Sequence, residues 1–262
     1  MNRLTLPDGR SLSYQSFGEG LPLLCIHAPG IGSVNFSLQA PLSDSFQLII
    51  PDLRGHGDSS PAKEPFDMAD LARDLKTLVE LLGIDRLIVL GYSQGGSVAL
   101  ECCLQFPQYI AGGILASSFS EVNELYLHSR FYMAQAMASL GAVSFLARST
   151  ASSHLDDKKE QERWIAHAKR TDAYTLQQIY IAGHHYNCTG RLRNIHVPML
   201  LVYGRNDKKM HPYGKLLASH LPFADLRTVP NVSHQVITKA ADGFNQLCRE
   251  FARASVKQAE PV

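Results

Sequence analysis

Ser93 lies in "LGYSQGG", residues 90–96, with Gly91 and Gly95 two residues to either side of it. The apolar run "DRLIVL" precedes this G-x-S-x-G stretch and "SVALECCLQF" follows it, so a strand pattern becomes a helix pattern at the serine. A serine at such an elbow is held out on a sharp, strained turn, and small neighbours let the helix approach the strand. The helix aims its N-terminus, with its partial positive charge, at the place where negative charge develops in acyl transfer. A hydroxyl is a weak nucleophile until an imidazole takes its proton, and the imidazole needs a carboxylate to set its tautomer. After such an elbow the partners follow in the order serine, acid, histidine. Asp207, in "LLVYGRNDKKM", stands three residues past an apolar strand pattern, where a loop can turn it inward. His234, in "VPNVSHQV", follows the run "ADLRTV" and precedes a helical pattern. Ser93, Asp207 and His234 are the candidate nucleophile, acid and base.

Other residues compete for these roles. Glu121, just after a strand pattern ending near Ser118, is the alternative acid, and the chain has eleven histidines. Adjacent His184 and His185 form the only histidine pair, but consecutive side chains on a helix face apart, which disfavours a metal site. The five cysteines include no C-x-x-C pair and their count is odd, which reads as reduced thiols in a cytoplasmic protein. Cys102 and Cys103 are expected to pack as small hydrophobes on the helix after Ser93.

The elements that must position these residues are legible as alternating patterns. "LPLLCIH" (21–27), "FQLIIPD" (46–52), "RLIVLGY" (86–92), "AGGILASS" (111–118) and "VPMLLVYG" (197–204) are short runs, apolar on both faces. Such runs suit parallel strands buried between two helical layers. Between the second and third, Met68, Leu71, Leu75, Leu78 and Leu82 recur at helical spacing before Gly83. This alternation predicts an α/β sheet with right-handed crossovers. The stretch from about 119 to 195 breaks it, being far longer than an ordinary connection and showing helical patterns only. It reads as a helical insertion, or lid, whose Phe131, Tyr132, Met133, Met137, Phe145 and Trp164 are expected to pack its core, a minority roofing a pocket. The first twenty residues lack the apolar segment of a signal peptide and read as two strands joined at Pro7-Asp8-Gly9, and the terminal "SVKQAEPV" is expected to fray.

Composition agrees with this outline and excludes other classes. The 262 residues are 45% hydrophobic and 19% charged, with a net charge of +1. That near-neutral balance gives no electrostatic footprint for nucleic acid or an anionic membrane. No apolar run approaches the roughly 20 residues of a membrane span. The oligomeric state is not legible.

With these segments in order, the chain resembles the α/β-hydrolase family over nearly its whole length. "IHAPGIGS" is similar to the family's H-G-x-G-type loop, and "PDLRGHGDSS" to its D-x-R-G-x-G-x-S segment. "VYGRNDKKMHP" and "NVSHQV" resemble its acid and histidine segments. The resemblance implies a mostly parallel, eight-stranded sheet flanked by helices, with a core of 1–119 and 193–262 and a helical cap at 120–192. It implies Ser93 as nucleophile, His234 as base, Asp207 as orienting acid, and no metal or organic cofactor. It also implies that Asp52, Arg54, Gly55, His56 and Gly57 are structural, and that Gln94 gives one oxyanion-binding N–H. The second donor position is Pro29, which has no N–H, so Gly30 is expected to replace it in a shifted loop.

The expected reaction is hydrolysis of a carboxylic ester or related acyl compound of small size. Thioesters, lactones, carbon–carbon bonds and cofactor-free perhydrolysis stay open within the class, because fold does not settle chemistry. A serine at 93 disfavours the branches that need a carboxylate nucleophile. A non-catalytic or weakly catalytic, receptor-like protein that binds a small molecule on the same fold is the alternative from another class.

Overall fold

The computed structural model describes residues 1–257; of the terminal stretch expected to fray, residues 258–262 lie outside them. Eight strands form one sheet: β1 (Asn2–Thr5), β2 (Ser11–Phe17), β3 (Leu21–Ile26), β4 (Phe46–Pro51), β5 (Leu87–Tyr92), β6 (Ile110–Ala116), β7 (Met199–Gly204) and β8 (Ala224–Val229). Their order across the sheet is β1-β2-β4-β3-β5-β6-β7-β8. The hairpin β1–β2 is antiparallel and joins antiparallel to β4, while every later pairing is parallel.

Period-two alternation explains the double covering of the central strands. In β3, Leu24 and Ile26 enter one core layer and Leu23 and Cys25 the other. β5 divides the same way, Leu87 and Val89 against Ile88, Leu90 and Tyr92. The first layer is closed by α1 (Met68–Leu81), α2 (Gly95–Gln105) and, further along, α7 (His211–His220). The second is closed by α8 (Val236–Lys239), α9 (Ala241–Lys257) and the 3-10 segment Ser33–Asp44. Asp67 and Asp70 form a capping box at the start of α1, and Met68, Leu71, Leu75 and Leu78 are buried along its length. Cys102 and Cys103 are buried on α2, and all five cysteines are free.

Between β6 and β7 come four helices: α3 (Leu125–Ser139), α4 (Val143–His154), α5 (Lys158–Ala168) and α6 (Ala173–His185). Gly141, at φ +69°, ends α3 and turns the chain into α4. Phe131 and Trp164 are buried as expected. Tyr132, Met133 and Phe145 correct the expectation of a packed core, being 63%, 52% and 63% exposed. α3 is amphipathic in position but not in composition, so apolar residues fall on its outer face as well. Among the described residues no helix is long and apolar enough to cross a membrane.

Candidate active site

The serine elbow is built by three glycines with no room for a side chain. A Cβ on Gly91 would collide with the Gly96 backbone, one on Gly95 with the Ile26 carbonyl, and one on Gly96 with Ser118. Strand β5 therefore passes directly under the start of α2, and Ser93 between them takes φ +53°. A non-glycine residue in that left-handed region stores about 1–3 kcal/mol, which the surrounding structure must hold. The Ser93 N–H donates to the Ala116 carbonyl at 2.8 Å, and its carbonyl accepts from Gly96 N–H at 3.0 Å.

Asp207 and His234 arrive on two loops that are packed together beyond β7 and β8. A side chain at Gly204 would strike the Val232 and Ser233 carbonyls, and Asn206 N–H donates to the Val232 carbonyl at 3.0 Å. The structure brings the three candidates into one chain of hydrogen bonds. His234 Nδ1 lies 2.9 Å from Asp207 Oδ2, and Nε2 lies 3.0 Å from Ser93 Oγ. A carboxylate only accepts, so the proton sits on Nδ1, and Nε2 is left to accept from the Ser93 hydroxyl. Glu121 is not part of this arrangement; its carboxylate accepts from Asn123 Nδ2 at 2.6 Å.

Supports that the sequence did not single out hold His234 from behind. Ser117, itself at φ +49°, donates its hydroxyl to the His234 carbonyl at 3.0 Å. The Tyr92 ring lies 5.6 Å from the His234 ring, and its hydroxyl is 3.3 Å from Nε2 of His154 on α4. His154 reaches Thr238 Oγ1 at 3.0 Å with its other nitrogen, so it ties the helical insertion to the floor of the site. Burial pushes the His154 imidazole down to about 3 and keeps it neutral. Only spatial neighbours identify these residues, since each looks ordinary in its own segment.

The loop after β3 departs from expectation at Gly30. Its N–H donates to Nε2 of His56 at 2.8 Å, so the amide expected as second oxyanion donor is already taken. The Ala28 N–H is likewise held, by Asn35 Oδ1 at 3.1 Å. His56 Nδ1 in turn donates to the Arg54 carbonyl at 2.9 Å, and His27 mirrors it, accepting from Leu53 N–H and donating to the Ala28 carbonyl. Both rings are buried, and desolvation pushes His56 below its usual range and His27 down to about 3. Two neutral histidines thus pin the two loops together, and a protonated His56 has no lone pair for Gly30. Asp52 serves the same framework, accepting from Ser33 N–H at 2.6 Å and from His167 Nε2 at 2.9 Å.

His184 and His185 do not face apart: their rings stack 5.6 Å apart, and His184 Nε2 meets Nδ1 of His128 at 2.8 Å. Among the described residues no group of three or more His, Cys, Asp or Glu is arranged to hold a metal ion.

The model of the alpha/beta hydrolase fold family matches residues 22–241, and the chain belongs to that family. Uncharacterised proteins of Mycobacterium bovis and Mycobacterium tuberculosis are 34% identical over 111 residues, a match covering 42% of this chain and 33% of each relative's length. The serine hydrolase BPHL of Mus musculus is 28% identical, with 93% of this chain and 84% of that protein covered. The pimeloyl-[acyl-carrier protein] methyl ester esterase of Nitrosospira multiformis is also 28% identical, over 93% of this chain and 98% of its own. Among solved structures, the esterase EaEST of Exiguobacterium antarcticum superposes with a TM-score of 0.86 at 17% identity, covering 96% of this chain and 98% of that one.

Proposed function

We propose that this protein is a serine hydrolase that cleaves a carboxylic ester or a related acyl compound through an acyl-enzyme on Ser93. The observation that carries the reading is the hydrogen-bonded series Ser93, His234, Asp207 on a strained elbow, with separations of 3.0 and 2.9 Å. The Ser93 oxygen adds to the substrate carbonyl while His234 Nε2 takes its proton, and Asp207 stabilises the imidazolium. The Gln94 N–H at the start of α2 donates to the oxyanion. His234 then protonates the departing alcohol, and activates the water that releases the acid.

Hydrolases and esterases among the relatives support the reaction class. The four helices α3–α6 act as a cap that selects the substrate. A small acyl molecule is the partner, no cofactor takes part, and five buried, unpaired thiols support a reducing compartment such as the cytoplasm. The rival reading is a binding protein without turnover, favoured by Pro29 and by the Gly30 amide held by His56. A fluorophosphonate probe separates the two, because only an activated serine reacts. The expected outcome is labelling of the wild type and none of Ser93→Ala, with turnover of p-nitrophenyl esters of graded chain length, compared against thioesters and lactones. An unlabelled wild type would refute the proposal.

A further inference from the structure

The site has one evident backbone donor for the oxyanion where acyl transfer gains most from two. Pro29 has no N–H, and the amides on either side of it are held by Asn35 and His56. The missing donor must come from elsewhere, and the helical insertion offers one. Resting on the reading of Ser93 as nucleophile, we propose that the phenolic hydroxyl of Tyr180, on α6, is the second oxyanion donor.

Three observations carry this assignment. The Tyr180 hydroxyl lies over the loop where a donor is lacking, 3.7 Å from the position of a Cβ built on Gly30. Gly30, at φ +82°, presents its bare Cα side to α6, where the Tyr180 hydroxyl and a Leu176 methyl, 3.6 Å from the same position, face it together.

Second, α6 is fastened to the segment after β4 and to Gln94, which follows the nucleophile. Asp172 N–H donates to the Gly55 carbonyl at 2.8 Å, and Ala62 N–H to Thr175 Oγ1 at 2.9 Å. Beside Tyr180, the Ile179 carbonyl accepts from the Gln94 side chain at 2.5 Å. Gln94, whose main-chain N–H is the first donor, thus holds α6 with its side chain. Gly183 has no Cβ because the Gln94 amide lies against it.

Third, the phenol is in the right state and uncommitted. Burial pushes its pKa up to about 12, against the opposing pull of the Arg130 guanidinium, so the O–H is intact at neutral pH. Among the described residues the one side-chain hydrogen bond made to Tyr180 is from Gln135 Nε2 to its main-chain carbonyl, at 3.5 Å, which leaves the hydroxyl free. As the Ser93 oxygen adds to the carbonyl carbon, the C=O electron pair moves onto oxygen. That oxygen accepts from Gln94 N–H and Tyr180 O–H together, and the phenolic proton stays on Tyr180 throughout.

The test compares Tyr180→Phe, Pro29→Ala and the double variant, using a p-nitrophenyl ester that the wild type turns over. Fluorophosphonate labelling of the wild type is read first: its absence sinks the Ser93 reading and this inference with it. With labelling present, Tyr180→Phe should lower kcat about 10²-fold with little change in KM. Pro29→Ala returns a backbone N–H to the usual position, so in the Tyr180→Phe background it should recover at least about tenfold of the lost kcat. Unchanged kcat in Tyr180→Phe, a loss confined to KM, or a kcat loss that Pro29→Ala leaves untouched would each overturn the inference while leaving Ser93 in place.

Discussion

Asp207→Asn preserves the size and shape of the side chain and changes what it can ask of His234. In the native arrangement Asp207 Oδ2 is 2.9 Å from Nδ1, and Ser93 Oγ is 3.0 Å from Nε2. An amide can turn its NH₂ toward Nδ1, which moves the ring proton to Nε2. Nε2–H then faces the Ser93 hydroxyl, and the site has no base. If the amide oxygen faces Nδ1 instead, the imidazolium formed during attack lacks a counter-charge. Asp207 and His234 are 12% and 33% exposed, so solvent screens them in part. Unit charges about 4 Å apart at an effective dielectric near 20 interact by about 4 kcal/mol. Loss of tautomer control adds to that. The expected fall in kcat is about 10⁴-fold, equivalent to about 5 kcal/mol of transition-state stabilisation. The assay is steady-state ester hydrolysis, with a thermal melt to establish that the variant is folded. A loss below about tenfold, or a larger loss in Glu121→Gln, would refute the reasoning and move the acid away from Asp207.

Two further outcomes follow from strain and from buried histidines. Ser93→Gly should abolish ester turnover yet raise Tm by about 2–4 °C, because glycine relieves about 1 kcal/mol or more of left-handed strain at φ +53°; a lower Tm in a calorimetric scan would contradict this. His27 and His154 have folded pKa values pushed down to about 3 from an ordinary 6.5, so the unfolded chain binds more protons between those limits. Stability should therefore be full above about pH 6.5 and fall as pH drops toward 3, each such histidine adding a slope of about 1.4 kcal/mol per pH unit in mid-window. Urea unfolding of wild type and His154→Asn between pH 7 and 4 checks it: the variant should show the shallower slope, and equal slopes would remove His154 from the account.

The parts of this protein that were legible in the sequence are those whose cause is local. Leu23 to Ile26 and Leu87 to Tyr92 are apolar on both faces, and an extended chain of that kind has to lie between two layers. Gly91, Gly95 and Gly96 are small because a strand and a helix touch within a few residues, so the elbow at Ser93 announces itself. Asp207 and His234 stand just past strand-like runs, where loops of a parallel sheet converge at one edge.

Tertiary structure alone decided the rest. The family resemblance makes Gly30 the candidate donor, but His56, twenty-six residues further on, takes its amide. No periodicity encodes which distant acceptor a loop N–H will meet. Tyr132, Met133 and Phe145 have the composition of a packed core and lie on the outside of their helices, because burial depends on which face of an element the rest of the molecule covers. Tyr180 and His154 read as ordinary helix residues until α6 and α4 are folded down onto Gly30 and Tyr92. Sequence determines what each element can bury and which residues have reactive chemistry. The partners those residues meet are set by how elements far apart in the chain pack, since hydrogen bonds and desolvation act through space over a few ångströms.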